Sequence, residues 1–376
     1  MNNISKYKVD AGIFISIIIF TFVSIISIYS AQNLLAKDMQ NLYLKQLLWY
    51  GIGFALAYFI MFIGNKVIIK RINILYIIGL ILLALVLFFG TTINEAKCWF
   101  VIPGIGNFQP SEFMKIILII MLAKMIDKFH TDHEAPSAFD EFKFLLKVLL
   151  VVAIPSFLTF LEPDTGVVLI YLLITFVMLF ISGFRFRWFL LVIGFIVALV
   201  GGLLLIYFTN KELFIKIFGT SFFLRIDRLL DWSNGSGYQL ENGMTAIASG
   251  HLFGNGFNKT PIYFPEPQTD FIFAVFASNF GLVGAIGLIG LIIYFDIKLI
   301  TTAIHNSNNI NKYIISGILG MLIYQQFQNI GMTIGIMPIT GITLPFISYG
   351  GSSLIAYMIL LGLVFNIYNS NFYKEK

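Results

Sequence analysis

"YFPEPQTDFIF", Tyr263 to Phe273, places one carboxylate, Asp270, where a polar segment turns into a long apolar run. Pro265 and Pro267 forbid a helix before it, and Phe271 onward reads as the first turn of a membrane span. Working outward from that junction, runs of the same kind recur along the 376-residue chain, which is 58% hydrophobic and 11% charged. That composition overrides the two or three soluble domains that length alone implies. A span needs about 20 mostly apolar residues, and ten are expected, at roughly 11–31, 47–63, 73–90, 112–126, 145–161, 166–183, 188–208, 271–296, 311–337 and 352–369. The sequence therefore predicts an all-α integral membrane protein. Residues 1–376 form one membrane domain, with no repeat of 20–50 residues and no linker between soluble parts.

With a cytoplasmic N-terminus, most of the 24 Lys and Arg fall on inside segments, and much of the remainder lies in one long loop that the positive-inside rule discounts. Both termini are then cytoplasmic, and the ten helices are joined outside by a long extracellular loop, 209–269, between spans seven and eight. Aromatic and aliphatic residues spread through Phe214 to Phe264 argue for order in that loop. Pro338, Pro345 and the Gly350-Gly351 pair interrupt apolar sequence between spans nine and ten, where a re-entrant loop is expected. The net charge of +5 is a topology signal, since no soluble segment carries a basic face with interleaved aromatics, and nucleic acid is not expected as a partner. The single cysteine, Cys98, excludes an intramolecular disulfide framework. "SYGGSS" lacks the Gly-Lys-Ser/Thr ending of a phosphate loop, and nothing resembles a nucleophile elbow.

In this topology the sharpest polar stretches map to one side: "NFQPSEFMK" (Asn107–Lys115), "LEPDTG" (Leu161–Gly166), "SGYQLENGMTAIASGHLFGNGF" (Ser236–Phe257), "PEPQTDF" and "MPITGITLPFISYGGSS" (Met337–Ser353). Glu112 and Lys115, three apart, share a helix face. They make either a self-neutralising ion pair or a site, and ionisable groups at membrane depth, costing about 2.5–3.5 kcal/mol each, favour a site. Asp270 at a helix start is explained by a cap or by the helix dipole, but a cap leaves the two prolines, Glu266 and Gln268 ahead of it unaccounted for. Asp164, between Pro163 and Thr165-Gly166, reads equally well as a turn residue.

"FQPSE", "EPDTG", "SGYQ", "AIASG", "FGNGF", "PEPQTDFIF", "NIGM" and "TGITLPFISYGGSS" occur in unbroken order from the entry of span four to the start of span ten. On these motifs the chain resembles the SEDS family (shape, elongation, division and sporulation), which includes RodA, FtsW and SpoVE. Its short tails and "GFNKTPIYFPEPQTDF" resemble RodA more than FtsW. The resemblance implies a multi-pass protein of the bacterial cytoplasmic membrane, a metal-assisted peptidoglycan glycosyltransferase that polymerises lipid II into glycan strands for cell shape or division. It also implies a class B penicillin-binding protein (a transpeptidase) as partner. Carried over by position, Asp270, Glu112 and Lys115 are the catalytic residues. Trp99, Arg225, Arg228, Gln239, Asp164 and Ser348 are the substrate-binding ones. Asp270 and Glu112 are the candidate ligands of a divalent cation, Mg²⁺ or Mn²⁺. The sequence departs from the family where Cys98 precedes the loop tryptophan in place of Arg, at Asn242, and at Ser278 and Asn279, where acids are usual.

Joining a sugar hydroxyl to an anomeric carbon that leaves as a lipid pyrophosphate needs a base, charge neutralisation and alignment. Asp270 is expected as the base and Lys115, Arg225 and Arg228 as the cations on the pyrophosphate, and the resemblance implies inversion at the sugar carbon by a single displacement. The rival reading is a transporter that flips lipid II, since ten spans, broken helices and intramembrane charge suit a transporter too. Placement of the polar residues on the outer side, away from the midplane, speaks against it.

Overall fold

Each of the ten expected runs is helical. A computed structural model of the chain describes residues 8–35, 39–93, 96–102, 106–220, 223 and 237–372. The helices on the apolar runs are α1 (Ala11–Ala31), α2 (Leu42–Ile63), α3 (Asn65–Phe89), α4 (Pro110–Asp132), α5 (Ala138–Leu161), α6 (Thr165–Ile181) and α7 (Phe186–Thr209). After the short α8 (Lys211–Phe218) and α9 (Tyr238–Ser249) come α10 (Ile272–Ile304), α11 (Asn309–Thr333) and α12 (Gly351–Phe372).

Against the ten spans expected, seven helices among the described residues are long and apolar enough by composition to cross a membrane: α1, α2, α3, α5, α7, α10 and α12. The other three fall short for different reasons. α6 has 17 residues, about 25 Å of helix. α4 carries Glu112, Lys115 and Lys124, and α11 carries Gln325, Gln326, Gln328 and Asn329, most of them buried. These two polar helices lie inside the bundle, where protein takes the place of lipid.

The all-α expectation needs one correction. Between α3 and α4 the chain forms a three-stranded antiparallel sheet, β1 (Thr91–Ile93), β2 (Ala96–Ile102) and β3 (Gly106–Phe108), with Thr91 opposite Trp99 and Phe100 opposite Phe108. β2, "AKCWFVI", is rich in the aromatic and β-branched residues that strands favour.

Small residues set the closest helix approach. A Cβ on Gly362 of α12 would stand 2.7 Å from the Ala57 carbonyl of α2, and Gly53, one turn earlier, receives Met358. This small-xxx-small contact lets two backbones meet without a hydrophobic drive. At the opposite extreme, Phe189 and Tyr207 are the buried residues of α7, with Trp188, Leu203 and Ile206 half-buried and most of its other side chains exposed.

Residues 334–350 leave the helical pattern and descend between α1 and α2. The Tyr50 hydroxyl donates to the Phe346 carbonyl, Ser24 Oγ to the Ile347 carbonyl (2.8 Å) and Gln46 Nε2 to the Ser348 carbonyl (3.1 Å). Those three side chains satisfy backbone acceptors that hydrocarbon would leave bare.

α10 is two helices. Gly281 breaks it at φ 68°, ψ −166°, a conformation essentially confined to glycine. The loop after α9 fills the break. Leu282 and Val283 N–H donate to the His251 and Leu252 carbonyls (2.9 and 3.1 Å), while Asn255 and Gly256 N–H donate to the Ser278 and Asn279 carbonyls (2.9 and 3.2 Å). Asn279 Nδ2 reaches Ser30 Oγ of α1, and its Oδ1 accepts from Lys259 N–H and Thr260 Oγ1. The uncharged Ser278 and Asn279 are thus buried structural groups. A Cβ on Gly281 would lie 2.4 Å from Gly254 N. Gly281→Ala is expected to cost about 2 kcal/mol or more, read as a lowered melting temperature in detergent. Gly287→Ala, with open space around it, is the neutral control.

Candidate active site

The polar motifs converge because helix starts do. α4 begins at Pro110, its fixed φ suited to a first turn, with Glu112 favoured by the helix dipole. Asp164 caps α6 by accepting from Val167 N–H at 3.1 Å, and its other oxygen accepts from Gln109 Nε2 at 2.7 Å. Gln109 N–H in turn donates to Ser352 Oγ at the start of α12. These bonds tie α4, α6 and α12 together at one end of the bundle.

Asp270 arrives from the other side. The Glu266 carbonyl accepts from Thr269 and Phe271 N–H, and its Oε2 accepts from Thr269 Oγ1 (2.8 Å) and Gln268 Nε2 (3.0 Å). Asn329 Nδ2 of α11 bridges the Asp270 and Ile342 carbonyls at 2.9 and 2.8 Å. Ser348 Oγ donates to the Thr269 carbonyl (2.6 Å) and accepts from Leu344 N–H (2.8 Å). Gly341, at φ 73°, lets the backbone pass where a Cβ would lie 3.7 Å from Asp270 Oδ2. The residue 334–350 segment is therefore stitched onto the turn that carries Asp270.

Between these elements lies a cavity of about 340 Å³, whose wall includes Trp99, Glu112, Asp164, Thr340 and Asp270. Behind Glu112, Lys115 is 1% exposed; its Nζ sits 2.7 Å from Glu112 Oε2 and 5.6 Å from the centroid of the Tyr357 ring. Burial, then the charge of Glu266, pushes the Asp270 carboxyl up to about 7. Burial likewise raises Asp164 to about 6, held back by the Val167 N–H. Among the described residues no hydrogen-bond donor reaches the Asp270 carboxylate.

Of the residues singled out in the sequence, Trp99, Glu112, Asp164 and Asp270 share the cavity, with Lys115 directly behind. Ser348 and Gln239 do not line it: Ser348 is buried with its hydroxyl committed to backbone, and Gln239 Nε2 donates to the Pro265 carbonyl at 3.2 Å, bracing the proline turn. Both position the Asp270 segment. Arg225 and Arg228 lie outside the described residues. Sequence reasoning missed Gln109, Gln325, Asn329 and Tyr357. The run "QQFQN", Gln325 to Asn329 inside an apolar span, was the available signal.

Among the described residues no group of three or more His, Cys, Asp or Glu forms a protein-built metal cage. A hard divalent ion that keeps waters and takes one or two carboxylates together with substrate phosphates fits what is present. The donor-free carboxylate of Asp270 faces the cavity, and Glu112 shares that wall while paired to Lys115.

Glu162, at the end of α5, is 0% exposed, and neither carboxylate oxygen has a hydrogen-bond partner. Burial, then the charge of Asp164, raises it to about 9 from an ordinary 4.5. Because its proton is held more tightly folded than unfolded, the stability penalty grows as pH rises from about 4.5 toward 9. Glu162→Gln is expected to raise the melting temperature at pH 8, with the gap closing toward pH 5.

Fold and cavity together define a multi-pass membrane protein with an acid, a buried cation and a sugar-sized cavity at one end of its bundle. The family model FtsW/RodA/SpoVE, described as "Cell cycle protein", matches residues 10–373. A Coxiella burnetii protein named "Probable peptidoglycan glycosyltransferase FtsW" is 33% identical, covering 96% of each chain. Stage V sporulation protein E of Bacillus subtilis is 31% identical, over 96% of this chain and 97% of its own. Thermus thermophilus rod shape determining protein RodA superposes with a TM-score of 0.71 at 29% identity, over 99% of both chains. A chain from work on "Structural coordination of polymerization and crosslinking by a peptidoglycan synthase complex" gives a TM-score of 0.78 at 28% identity, over 98% of this chain and 99% of that one. The chain belongs to the FtsW/RodA/SpoVE family.

Proposed function

We propose that this chain is a peptidoglycan glycosyltransferase that polymerises lipid II at the outer face of the cytoplasmic membrane, in cell wall synthesis. The observation that carries the reading is the meeting of Asp270, with its raised basicity, and the buried Glu112–Lys115 pair at one cavity. The names of the relatives support it, and the peptidoglycan synthase complex among the structural matches supports a class B penicillin-binding protein as partner.

In the proposed reaction the acceptor sugar hydroxyl attacks the anomeric carbon of the donor, and Asp270 takes the hydroxyl proton. The bond from that carbon to the pyrophosphate breaks, the electron pair leaving with the lipid pyrophosphate, and the α-linked donor becomes a β-linked chain. Lys115, oriented by Glu112, offsets charge on the leaving group with Arg225 and Arg228, while Trp99 and Asp164 shape the sugar-binding wall. A divalent cation held by Asp270 and Glu112 would supply further neutralisation of pyrophosphate.

The test is glycan-strand formation from lipid II by the purified protein, with and without a class B penicillin-binding protein and with Mg²⁺ or Mn²⁺ present. Polymer is expected. No polymer under any partner condition, with lipid II carried across vesicle membranes, would replace this reading with the flippase.

A further inference from the structure

Gln325 stands on α11, eight residues before its end at Thr333, or about 12 Å down the helix. It is 1% exposed and contributes to the cavity wall. Its amide nitrogen is committed, donating to the Tyr357 hydroxyl at 2.9 Å. With the nitrogen so placed, its buried oxygen, Oε1, has no donor. Across the same cavity Thr340 Oγ1 is likewise buried without a partner. One turn along α11 the arrangement repeats: Asn329 uses its nitrogen on the Asp270 and Ile342 carbonyls and leaves Oδ1 buried and unpaired. Leaving a buried acceptor unmade costs about 1–3 kcal/mol. A wall that fixes such an acceptor beside a cavity is therefore selective for a ligand that brings a donor.

We infer that Gln325 Oε1, with Thr340 Oγ1, forms a subsite at the floor of the cavity that accepts hydrogen bonds from the carbohydrate of the lipid-linked substrate, from a sugar hydroxyl or an acetamido N–H. The inference rests on the glycosyltransferase reading. It gives this part of the wall a role in substrate selection distinct from proton transfer at Asp270 and charge neutralisation at Lys115. Tyr357 links the two regions physically, since it holds Gln325 on one side and lies under the Lys115 ammonium on the other.

A substrate-by-residue cycle tests this. Affinity is measured for lipid II and for analogues in which single sugar hydroxyls are replaced by fluorine, or the acetamido N–H by an ester oxygen. Each ligand is bound to the full-length protein and to Gln325→Met. The wild type is expected to bind one of the analogues about tenfold more weakly than lipid II, the equivalent of one good hydrogen bond. Gln325→Met is expected to bind lipid II about tenfold more weakly and to be indifferent to that same replacement. Which analogue shows the coupling distinguishes hydroxyl from amide. Should every analogue keep the same penalty in Gln325→Met as in wild type, or should the variant bind lipid II as wild type does, the subsite is overturned. Failure of the wild type itself to bind or polymerise lipid II would instead overturn the glycosyltransferase reading.

Discussion

Asp270→Asn is expected to lower kcat for glycan-strand formation by about 10²–10⁴, the range a general base contributes, while the melting temperature does not fall and rises at pH values above the ordinary carboxylate range. The fold should be indifferent because Asp270 is held through its carbonyl, by Asn329, and its carboxylate takes no donor among the described residues. A neutral amide of the same shape also relieves the desolvation that pushes the acid up to about 7. The same value fixes the sign of the pH dependence. A base must be deprotonated, so wild-type kcat should climb with pH and level off once the carboxyl is ionised, at a lower pH when a divalent cation sits on Asp270 than when none does. The residual rate of Asp270→Asn should lack that limb. Near wild-type polymerisation by a folded Asp270→Asn would remove this residue from the chemistry.

The second large effect concerns the buried pair. Lys115→Met removes the cation and leaves Glu112 charged, largely buried and uncompensated, a change expected to cost about 3–5 kcal/mol. Lys115→Met combined with Glu112→Gln removes both charges and keeps the volume, and much of the lost stability should return. Activity should not. Thermal denaturation and lipid II polymerisation, measured on both variants, separate a packing role from a chemical one. If the double variant polymerises like wild type, the pair is structural.

How legible the site was depends on the kind of signal. The Asp270 junction and the α4 and α6 starts could be read because prolines, acids and caps mark helix ends locally. The break at Gly281 could not, since an isolated glycine in an apolar run gives no hint that a loop from the preceding segment enters there. The small sheet was hidden for a related reason: "AKCWFVI" is short and apolar, and strand and span look alike at that length. Ser348 illustrates the limit of carrying roles by motif. It was expected to bind substrate, but its hydroxyl is engaged by the Leu344 N–H four residues away and by the Thr269 carbonyl, the second a partner 79 residues away in the chain. Gln325 and Asn329 were passed over although both are polar residues in a span, and only the cavity distinguishes Gln325, which lines it, from Asn329, which pins neighbouring backbone.

The bare surface of α7 has a mechanical consequence. Its 24 residues extend about 36 Å, longer than a hydrocarbon core of about 30 Å, and with Phe189 and Tyr207 as its buried side chains the protein offers little resistance to tilt. Its angle is then set mainly by hydrophobic mismatch. α8 rides on its end, with Phe214 packed edge-on against Tyr207, so a thinner or thicker bilayer is expected to move α7 and α8 as one piece.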